Sequence, residues 1–369
     1  MVPKPVSIMP KSSIMGALAG PSASYSRRRL VGFVKRKLQW EFWPAWAAYL
    51  PLIPYFLYLA VRHRSLTVFT ASNPGIPAGG LVGESKSEIL RGIEREPGFV
   101  ATFELLTSSL SLAQRCARAA AFAQRCGWPV VLKPDVGERG AGVAIVRSVA
   151  ALERYLAANP GDTIVQRYAP GLEFGIFYYR FPGEARGHIF SLTEKRFPMV
   201  TGDGRRSLRE LILNDERAVC QAATYLRLMA RDPEDVPASG AMVQLVEIGS
   251  HCRGAIFLDG GRLVTPALES AVDRVGQALT GFHFGRFDVR SESIADLQAG
   301  RFLILELNGV SAEAAHIYDP AVSIWQAYRT LFRQWKMAFE IGAANRQLGV
   351  RPASAREIIQ LVRGRRRAD

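Results

Sequence analysis

Two short stretches, 284-FGRFDVR-290 and 301-RFLILELN-308, decide the fold of this chain. The first alternates apolar and polar residues, and the second is a mainly apolar run with polar residues at its end, so both predict β-strands. Arg286, Asp288 and Arg290 share one face of the first strand, and Glu306 and Asn308 share one face of the second. A hairpin between the strands would place Asp288 beside Glu306 and Asn308.

These polar residues predict a metal site. Two carboxylates and an amide oxygen on neighbouring strands are hard oxygen ligands, which suit Mg²⁺ bound together with substrate phosphates. The alternative is a pair of solvated strand faces. The apolar residues Phe302, Ile304 and Leu305 indicate burial instead, and clustered buried acids need cations.

Lysine is rare in this chain, and three lysines stand at informative places. Of the 47 basic residues only eight are lysine, and only Lys86, Lys133 and Lys195 lie between residues 38 and 335. A lysine kept in an arginine-rich chain indicates a need for its compact ammonium, although biased composition is the alternative. Lys86 opens a predicted helix (84–94), Lys133 ends a predicted strand (130–133), and Lys195 ends another strand before a Gly-Asp-Gly turn.

A glycine loop follows Lys133 and joins it to a predicted strand at 142–147. Gly137, Gly140 and Gly142 would let the backbone approach a ligand and present N–H groups to phosphate oxygens. The loop matches neither a Walker A nor a Rossmann fingerprint, and a plain turn is the alternative. Further strands are predicted at 66–71, 163–168, 174–179, 188–191, 244–248 and 255–258, with a hairpin turn at 259–261, and further helices at 112–126, 150–158, 207–214 and 265–279.

The net charge of +14 and the pI near 10 raise nucleic acid as a partner, but the basic residues cluster at the two ends of the chain. No nucleic-acid-binding motif is present, so we expect no nucleic-acid partner. The four cysteines form no C-x-x-C pair, which predicts neither a zinc site nor a disulfide framework and fits a reducing cytoplasm.

Residues 42–61 form a run of 20 uncharged, mostly apolar residues, which is long enough to cross a bilayer as a straight helix of roughly 30 Å. Pro51 and Pro54 interrupt it, and basic residues flank it on both sides. An in-plane or re-entrant anchor on an anionic membrane surface accommodates these features. A true span and a buried core helix are the alternatives. The predicted location is the cytoplasmic face of the membrane.

Taken in order, these motifs resemble the ATP-grasp superfamily, especially its D-alanine–D-alanine ligase and cyanophycin-synthetase-like branches. The resemblance runs from about residue 83 to residue 318 and implies an α+β fold in which two α+β lobes clasp ATP, with a reduced N-terminal α/β domain. The expected organisation is a disordered basic tail (1–40), an apolar membrane-associated segment (41–64), a reduced N-terminal α/β region (65–128), a small lobe (129–200), a large lobe with the metal site (201–335) and a basic C-terminal helix or tail (336–369).

The resemblance also implies a role for each motif. Lys86, Lys133 and the loop glycines Gly137, Gly140 and Gly142 would contact the ATP phosphates, and Lys195 would approach the γ-phosphate. Arg286 would stabilise the transferring phosphate and the following oxyanion. Asp288, Glu306 and Asn308 would bind Mg²⁺, with two ions expected and Mn²⁺ as an alternative. The adenine hinge would be Gln166, Arg167, Tyr168 and Ala169, and Glu173 would hold the ribose.

The implied activity is an ATP-dependent ligase that joins a small-molecule carboxylate to an amine through an acyl phosphate. A membrane-associated ATP-binding sensor or scaffold and an ATP-dependent phosphotransferase are the alternatives, and a homodimer is left open. Two departures bear on the substrates: the usual N-terminal domain is almost missing, and 309-GVSAE-313 replaces the Pro-Gly-rich loop of the dipeptide ligases. His251, His283 and His316 are candidate general bases, with structural roles as the alternative.

Overall fold

The computed structural model of the chain describes residues 23–137, 140–229 and 231–365. Its helices are α1 (Ala23–Leu38), α2 (Ala45–Tyr49), α3 (Leu52–Arg62), α4 (Lys86–Ile93), α5 (Leu112–Cys126), α6 (Val149–Ala158), α7 (Leu208–Asn214), α8 (Ala222–Leu228), α9 (Pro266–Ala278), α10 (Ile294–Gln298), α11 (Ile324–Gln347) and α12 (Ala355–Arg365). Its strands are β1 (Phe103–Leu106), β2 (Val130–Pro134), β3 (Ala144–Val146), β4 (Thr163–Arg167), β5 (Leu172–Tyr179), β6 (His188–Arg196), β7 (Met199–Thr201), β8 (Met242–Gln244), β9 (Ile256–Asp259), β10 (Phe284–Ser291) and β11 (Leu303–Asn308).

The larger sheet is antiparallel and has the strand order β11-β10-β5-β6-β9. One face of this sheet packs its apolar residues, including Phe174, Ile176 and Phe287, against α4 and α9 in the largest core cluster. The period of two along each strand leaves the charged residues on the opposite face. The predicted hairpin is confirmed, because Asp288 of β10 is the direct cross-strand partner of Glu306 of β11.

The smaller sheet is also antiparallel and has the order β1-β4-β2-β3, with α5 and α6 packed on it. β1 and α5 therefore join the small lobe, although the sequence assigned them to a separate N-terminal region. The α+β class is confirmed. α5 begins at the N-cap Ser111, which forms a capping box with Gln114, and the predicted capping box of Ser207 and Glu210 is present at α7.

Three parts of the predicted organisation differ in the structure. Residues 1–22 of the predicted disordered tail lie outside the described residues, but 23–38 form helix α1. The predicted strand at 66–71 is instead a 3-10 turn over Val68–Ser72, packed against α11. The predicted hairpin at 259–261 does not form, since β9 pairs with β6 and β8 pairs with β7.

The apolar segment 42–61 forms two short helices, α2 and α3, that are broken at Pro51. The inner side of α3 buries Leu52, Leu59 and Ala60 against α11 and its surroundings. The alternative of a buried core helix therefore applies to the inner side of this segment. Of the helices in the described part of the chain, none has the length and apolar character needed to span a membrane.

Asn73 ties the short N-terminal region to the large sheet. Its side chain is fully buried and makes four hydrogen bonds with the backbone. The side-chain amide donates to the carbonyls of Gly79 (2.9 Å) and Phe284 (2.7 Å), and its oxygen accepts from the N–H groups of His283 and Phe284 (both 2.9 Å). The start of β10 is thus held by one side chain.

Asn73→Ala should lower the free energy of unfolding by about 3 kcal/mol, because it leaves buried backbone groups without partners. Urea denaturation followed by circular dichroism measures this difference. Asn214→Ala removes one exposed side-chain bond to the Glu210 carbonyl and should change the free energy of unfolding by about 0.5 kcal/mol or less. Equal effects of the two substitutions would contradict the role given to Asn73.

Candidate active site

A cavity of about 720 Å³ is lined by residues of both sheets and by residues between positions 40 and 49, called here the N-terminal segment. It brings together most of the residues that the sequence predicted: Lys133, Gly140, Gln166, Arg167, Tyr168, Ala169, Glu173, Lys195, Arg286, Asp288, Glu306 and Asn308. The apolar side chains of Val131 and Ile145 from the small lobe and Leu305 from the large lobe also line it. Such a slot between two lobes suits a flat ring.

The strand register sets the charged residues of the large sheet in two rows. In one row Arg290, Glu173 and Lys195 are neighbours across β10, β5 and β6. In the next row Glu306 and Asp288 are neighbours, and the row continues to Gly175. A side chain at Gly175 would place its Cβ 3.2 Å from Cδ of Arg286 and 3.4 Å from Oδ1 of Asp288. The glycine therefore leaves room for the charged groups beside it.

Asp288 is the centre of a charged cluster that it forms with Lys195, Arg286 and its cross-strand neighbour Glu306. Its carboxylate accepts hydrogen bonds from Nε (3.0 Å) and Nη2 (3.1 Å) of Arg286, lies 3.1 Å from Nζ of Lys195, and accepts from the amide of Asn308 (3.3 Å). Burial acts to raise the pKa of Asp288, but Arg286 and Lys195 outweigh it and hold the pKa at about 2. The carboxylate is therefore ionised at neutral pH.

Lys195 lies between two carboxylates. Its ammonium is 3.0 Å from Glu173 and 3.1 Å from Asp288. Burial alone would lower the pKa of Lys195, but Asp288 and Glu173 outweigh it and raise the pKa above its ordinary value. Lys195 thus stays charged in a buried position.

Lys133 projects from β2 toward the large lobe. Its ammonium donates to the side-chain oxygen of Gln166 (2.9 Å) and to the carbonyl of Leu305 (2.8 Å). Burial lowers the pKa of Lys133 to about 8, with the nearby Lys86 opposing the attraction of Glu306. Because neither hydrogen-bond acceptor carries a full charge, an anion in the cavity would be a stronger partner for this ammonium.

Lys86 and the glycine loop meet next to Glu306, although Lys86, Gly137 and Gly142 do not themselves line the cavity. The Lys86 ammonium donates to the carbonyl of Gly137 and lies 3.5 Å from Glu306. Gly140 and Gly142 adopt positive φ angles of 73° and 69°, which favour glycine. Gly140 lines the cavity, and residues 138 and 139 of the loop lie outside the described residues.

Arg290 is a site residue that sequence reasoning did not single out. It binds Glu173 through Nε (3.2 Å) and Nη2 (3.0 Å), donates from Nη1 to the carbonyl of Ala169 (2.8 Å), and lies over the ring of Tyr168 (5.1 Å). The sequence signal that could have identified Arg290 as a site residue was its position in the alternating run with Arg286 and Asp288. Arg290 and Lys195 together occupy both oxygens of Glu173, so the predicted ribose ligand is held in place by ion pairs.

The donor set of Asp288, Glu306 and Asn308 fits the expected Mg²⁺. Asp288 and Glu306 are direct cross-strand neighbours, all three residues line the cavity, and Asp288 is ionised. Their oxygens are of the hard type that Mg²⁺ prefers. Within the described ranges, no group of three or more histidine, cysteine, aspartate or glutamate residues is arranged to hold a metal, so Asn308 and substrate oxygens would have to complete the shell.

Of the three candidate histidines, only His251 lines the cavity. Burial lowers the pKa of both His251 and His283 to about 4, and it also lowers the pKa of His316. The sequence missed a different set of cavity residues, namely Trp40, Trp43, Trp46, Tyr49, Glu313 and Tyr318. Trp43 and Trp46 belong to the apolar segment that the sequence predicted as a membrane anchor.

No family model matches the chain, and no curated protein matches it. Solved structures that are similar in part include a D-alanine–D-alanine ligase from Bacillus anthracis, which is 13% identical with a TM-score of 0.41 over 72% of this chain and 67% of the ligase. VanG D-Ala:D-Ser ligase from Enterococcus faecalis is 11% identical with a TM-score of 0.40 over 70% of this chain and 63% of that one. A bifunctional glutathione synthetase from Pasteurella multocida is 16% identical with a TM-score of 0.33 over 67% of this chain and 36% of that one.

These structures include a D-alanine–D-alanine ligase, the type of enzyme that the sequence motifs resemble. The chain spans between 36% and 67% of their lengths. With TM-scores below 0.5, the overall likeness carries no argument about activity. The activity has to be inferred from the residues of the cavity.

Lys133→Ala should weaken ATP binding at least tenfold without unfolding the protein, since a charged hydrogen bond contributes about 1.5–3 kcal/mol. The pKa of about 8 adds a pH signature: Lys133 loses its charge as pH rises through 8, so wild-type affinity should fall between pH 7 and 9. The variant's affinity should be low and independent of pH over that range. Calorimetric titration with MgATP measures both.

Lys336→Ala serves as the control for this experiment, because Lys336 is an exposed lysine paired with Glu340 on α11. Its ATP affinity should equal that of the wild type. Unchanged affinity in a folded Lys133→Ala protein would refute the role of Lys133.

Proposed function

We propose that the protein is an ATP-dependent ligase that activates a small-molecule carboxylate as an acyl phosphate and joins it to an amine, with Mg²⁺ as the metal. The observation that carries this proposal is the charged cluster around Asp288, in which Lys195, Arg286 and Glu306 meet inside a cavity also lined by Lys133 and the hinge 166–169. Cations and carboxylates arranged in this way suit a phosphoryl group in transfer.

The reaction has two steps. A carboxylate oxygen of the acid bonds to the γ-phosphorus while the bond from that phosphorus to the bridging oxygen breaks, and ADP leaves. The amine nitrogen then bonds to the acyl carbon while the bond from that carbon to the phosphate oxygen breaks. Inorganic phosphate leaves, and the nitrogen loses its surplus protons to phosphate and solvent, which gives the amide.

The chain's own residues bind charge at each stage. Lys195 and Arg286 both bind Asp288, and the same cations would bind phosphate oxygens when a nucleotide enters. Asp288, Glu306 and Asn308 would hold Mg²⁺, which supplies Lewis-acid stabilisation of the phosphate oxygens when bound. Lys133 would bind the phosphates from the small-lobe side. The intact set of cations and carboxylates supports catalysis over a role as a non-catalytic sensor.

The experiment that tests this function is hydroxylamine trapping. Purified protein is incubated with MgATP, a pool of carboxylic acids and hydroxylamine, and the products are analysed by mass spectrometry. A ligase of this class releases ADP only when an acid is present and forms the hydroxamate of that acid. ADP release without any hydroxamate, or phosphorylation of a hydroxyl or histidine, would favour the phosphotransferase alternative and overturn the proposal.

Glu306→Gln and Asn308→Ala should each lower hydroxamate formation at least a hundredfold while reducing ATP affinity far less. The metal ligands act on charge that develops in the transition state, and single electrostatic groups of this kind contribute about 10²–10³ in rate. Initial rates and ATP titrations on the same preparations separate the two effects. Glu104→Gln, at a surface ion pair with Arg125, is the control, and normal turnover by Glu306→Gln with Mg²⁺ would refute the metal assignment.

We also propose that α3 lies in the plane of an anionic membrane surface at the cytoplasmic face. The outer side of this region exposes an apolar stripe of Leu50, Ile53, Leu57 and Val61, with exposed fractions between 51% and 78%. Arg62 ends the helix, and exposed Lys336, which is paired with Glu340, lies on α11, the helix that α3 contacts. An apolar stripe with cations beside it suits lipid headgroups over a shallow acyl layer.

Ile53→Ser combined with Leu57→Ser should lower binding to vesicles of phosphatidylglycerol and phosphatidylcholine by about tenfold or more, since each change removes about 1.5 kcal/mol or more of apolar burial. Co-sedimentation with sucrose-loaded vesicles measures the bound fraction. Val236→Ser combined with Met242→Ser, two exposed apolar residues of the large lobe, should leave it unchanged. Wild-type protein that remains entirely in the supernatant would overturn the proposed attachment.

A further inference from the structure

Four rings form an aromatic wall that begins in the N-terminal segment and ends at Lys195: those of Trp40, Tyr318, His251 and Phe257. Trp40 stacks on Tyr318 (5.5 Å between ring centroids), Tyr318 stacks on His251 (4.6 Å), and His251 lies against Phe257 (5.5 Å). The ammonium of Lys195 lies 5.8 Å from the centroid of Phe257. All four rings line the cavity. The wall belongs neither to the hinge nor to the metal strands, and the proposed chemistry of ATP leaves it without a role.

Glu313 places a carboxylate on this wall. Its side chain accepts a hydrogen bond from the hydroxyl of Tyr318 (2.9 Å), and burial raises its pKa. Its own carbonyl accepts from Nη1 of Arg286 (3.1 Å). The Glu313 side chain therefore starts beside the arginine that is proposed to hold the transferring phosphate.

The charge balance of the cavity sets Glu313 apart. Among the described residues, each of the other cavity carboxylates is in an ion pair: Glu41 with Arg217, Glu173 with Lys195 and Arg290, Glu247 with Arg147, Asp288 with Lys195 and Arg286, and Glu306 with Lys86. Glu313 has no ion-pair partner within that same part of the chain. A carboxylate in a cavity without a cation is a site for an incoming cation.

We infer that Glu313 and the aromatic wall form the acceptor subsite, which takes a primary ammonium carried on an apolar or aromatic body. This inference rests on the proposed ligase function and names the class of its amine substrate. The carboxylate attracts the ammonium, and the ring faces of Trp40 and Tyr318 suit both a cation and an apolar body. A carboxylate substrate would be repelled by Glu313, so the acid belongs nearer to Lys195 and Arg286.

Two further observations fit an ammonium that is carried on an apolar body. The Nε2 atom of His251 is buried without a hydrogen-bond partner among the described residues, and the low pKa keeps this imidazole uncharged, so it does not repel an ammonium. Trp46 lines the cavity while 74% exposed, and Trp43 is 37% exposed. The aromatic wall therefore continues to the opening of the cavity, where a longer apolar chain would lie against tryptophan.

The test compares the binding of octylamine, butylamine and octanoate to the full-length protein by calorimetric titration. Octylamine should bind, and octanoate should bind at least tenfold more weakly because its charge has the wrong sign. Glu313→Gln keeps an acceptor for Tyr318, so the fold should persist, and octylamine affinity should fall about tenfold or more with loss of the charged hydrogen bond. Trp46→Ala should weaken octylamine more than butylamine.

Glu247→Gln is the matched control, because Glu247 also lines the cavity but is paired with Arg147. It should bind octylamine like the wild type. Octanoate bound as tightly as octylamine, an unchanged affinity in Glu313→Gln, or no saturable octylamine binding would each overturn the subsite.

Hydroxylamine trapping separates this outcome from failure of the proposed function, because hydroxylamine is small and uncharged at neutral pH and has no apolar body to place on the wall. Hydroxamate formation without octylamine binding would remove the subsite and leave the ligase. Glu313-dependent octylamine binding without acid-dependent ADP release would overturn the ligase function itself.

Discussion

The ion pairs around Asp288 are the interaction on which the site depends. Asp288 is a buried carboxylate, and burial without partners would either neutralise it or destabilise the fold. Lys195 and Arg286 hold it ionised, and Lys195 is in turn shared with Glu173, which is held by Arg290. Each charge is therefore fixed by its neighbour across the sheet. In the proposed reaction these cations would bind phosphate oxygens from positions that the ion pairs already fix, with little reorganisation.

The two-residue period of the sheet makes this arrangement possible. β10 and β5 send Phe287 and Ile176 into the helix-covered core, while Asp288 and Gly175 face the cavity. One strand thus contributes to the core and to the charged cluster at alternate positions. Gly175 has no side chain at the point where Arg286 and Asp288 need room. Asn73 adds a second constraint by fixing the start of β10 through its backbone.

The sequence predicted the parts of the site that lie on regular elements. The alternation in 284–290 placed Asp288 opposite Glu306, and the scarcity of lysine directed attention to Lys133 and Lys195, which the cavity brings together. It failed where tertiary packing decides the outcome. Trp43 and Trp46 lie in the apolar segment that was predicted to contact a membrane, and the sequence did not place them at the cavity, because aromatic residues in an apolar run have the same local pattern at a bilayer and at a cavity wall. The sequence did hold one signal for the cavity: this segment stands where the N-terminal domain of the resembled family would lie.

The central claim is that the charged cluster transfers the γ-phosphoryl group of ATP to a carboxylate before any amine takes part. Positional isotope exchange tests it most directly. ATP labelled with ¹⁸O in the β–γ bridge is incubated with enzyme, Mg²⁺ and the acid identified by trapping, with no amine present. Reversible acyl phosphate formation predicts migration of the label from the bridge to the non-bridging β positions, dependent on the acid and lost in Glu306→Gln. A label that stays in the bridge, while enzyme, acid and amine together still turn over, would contradict the account.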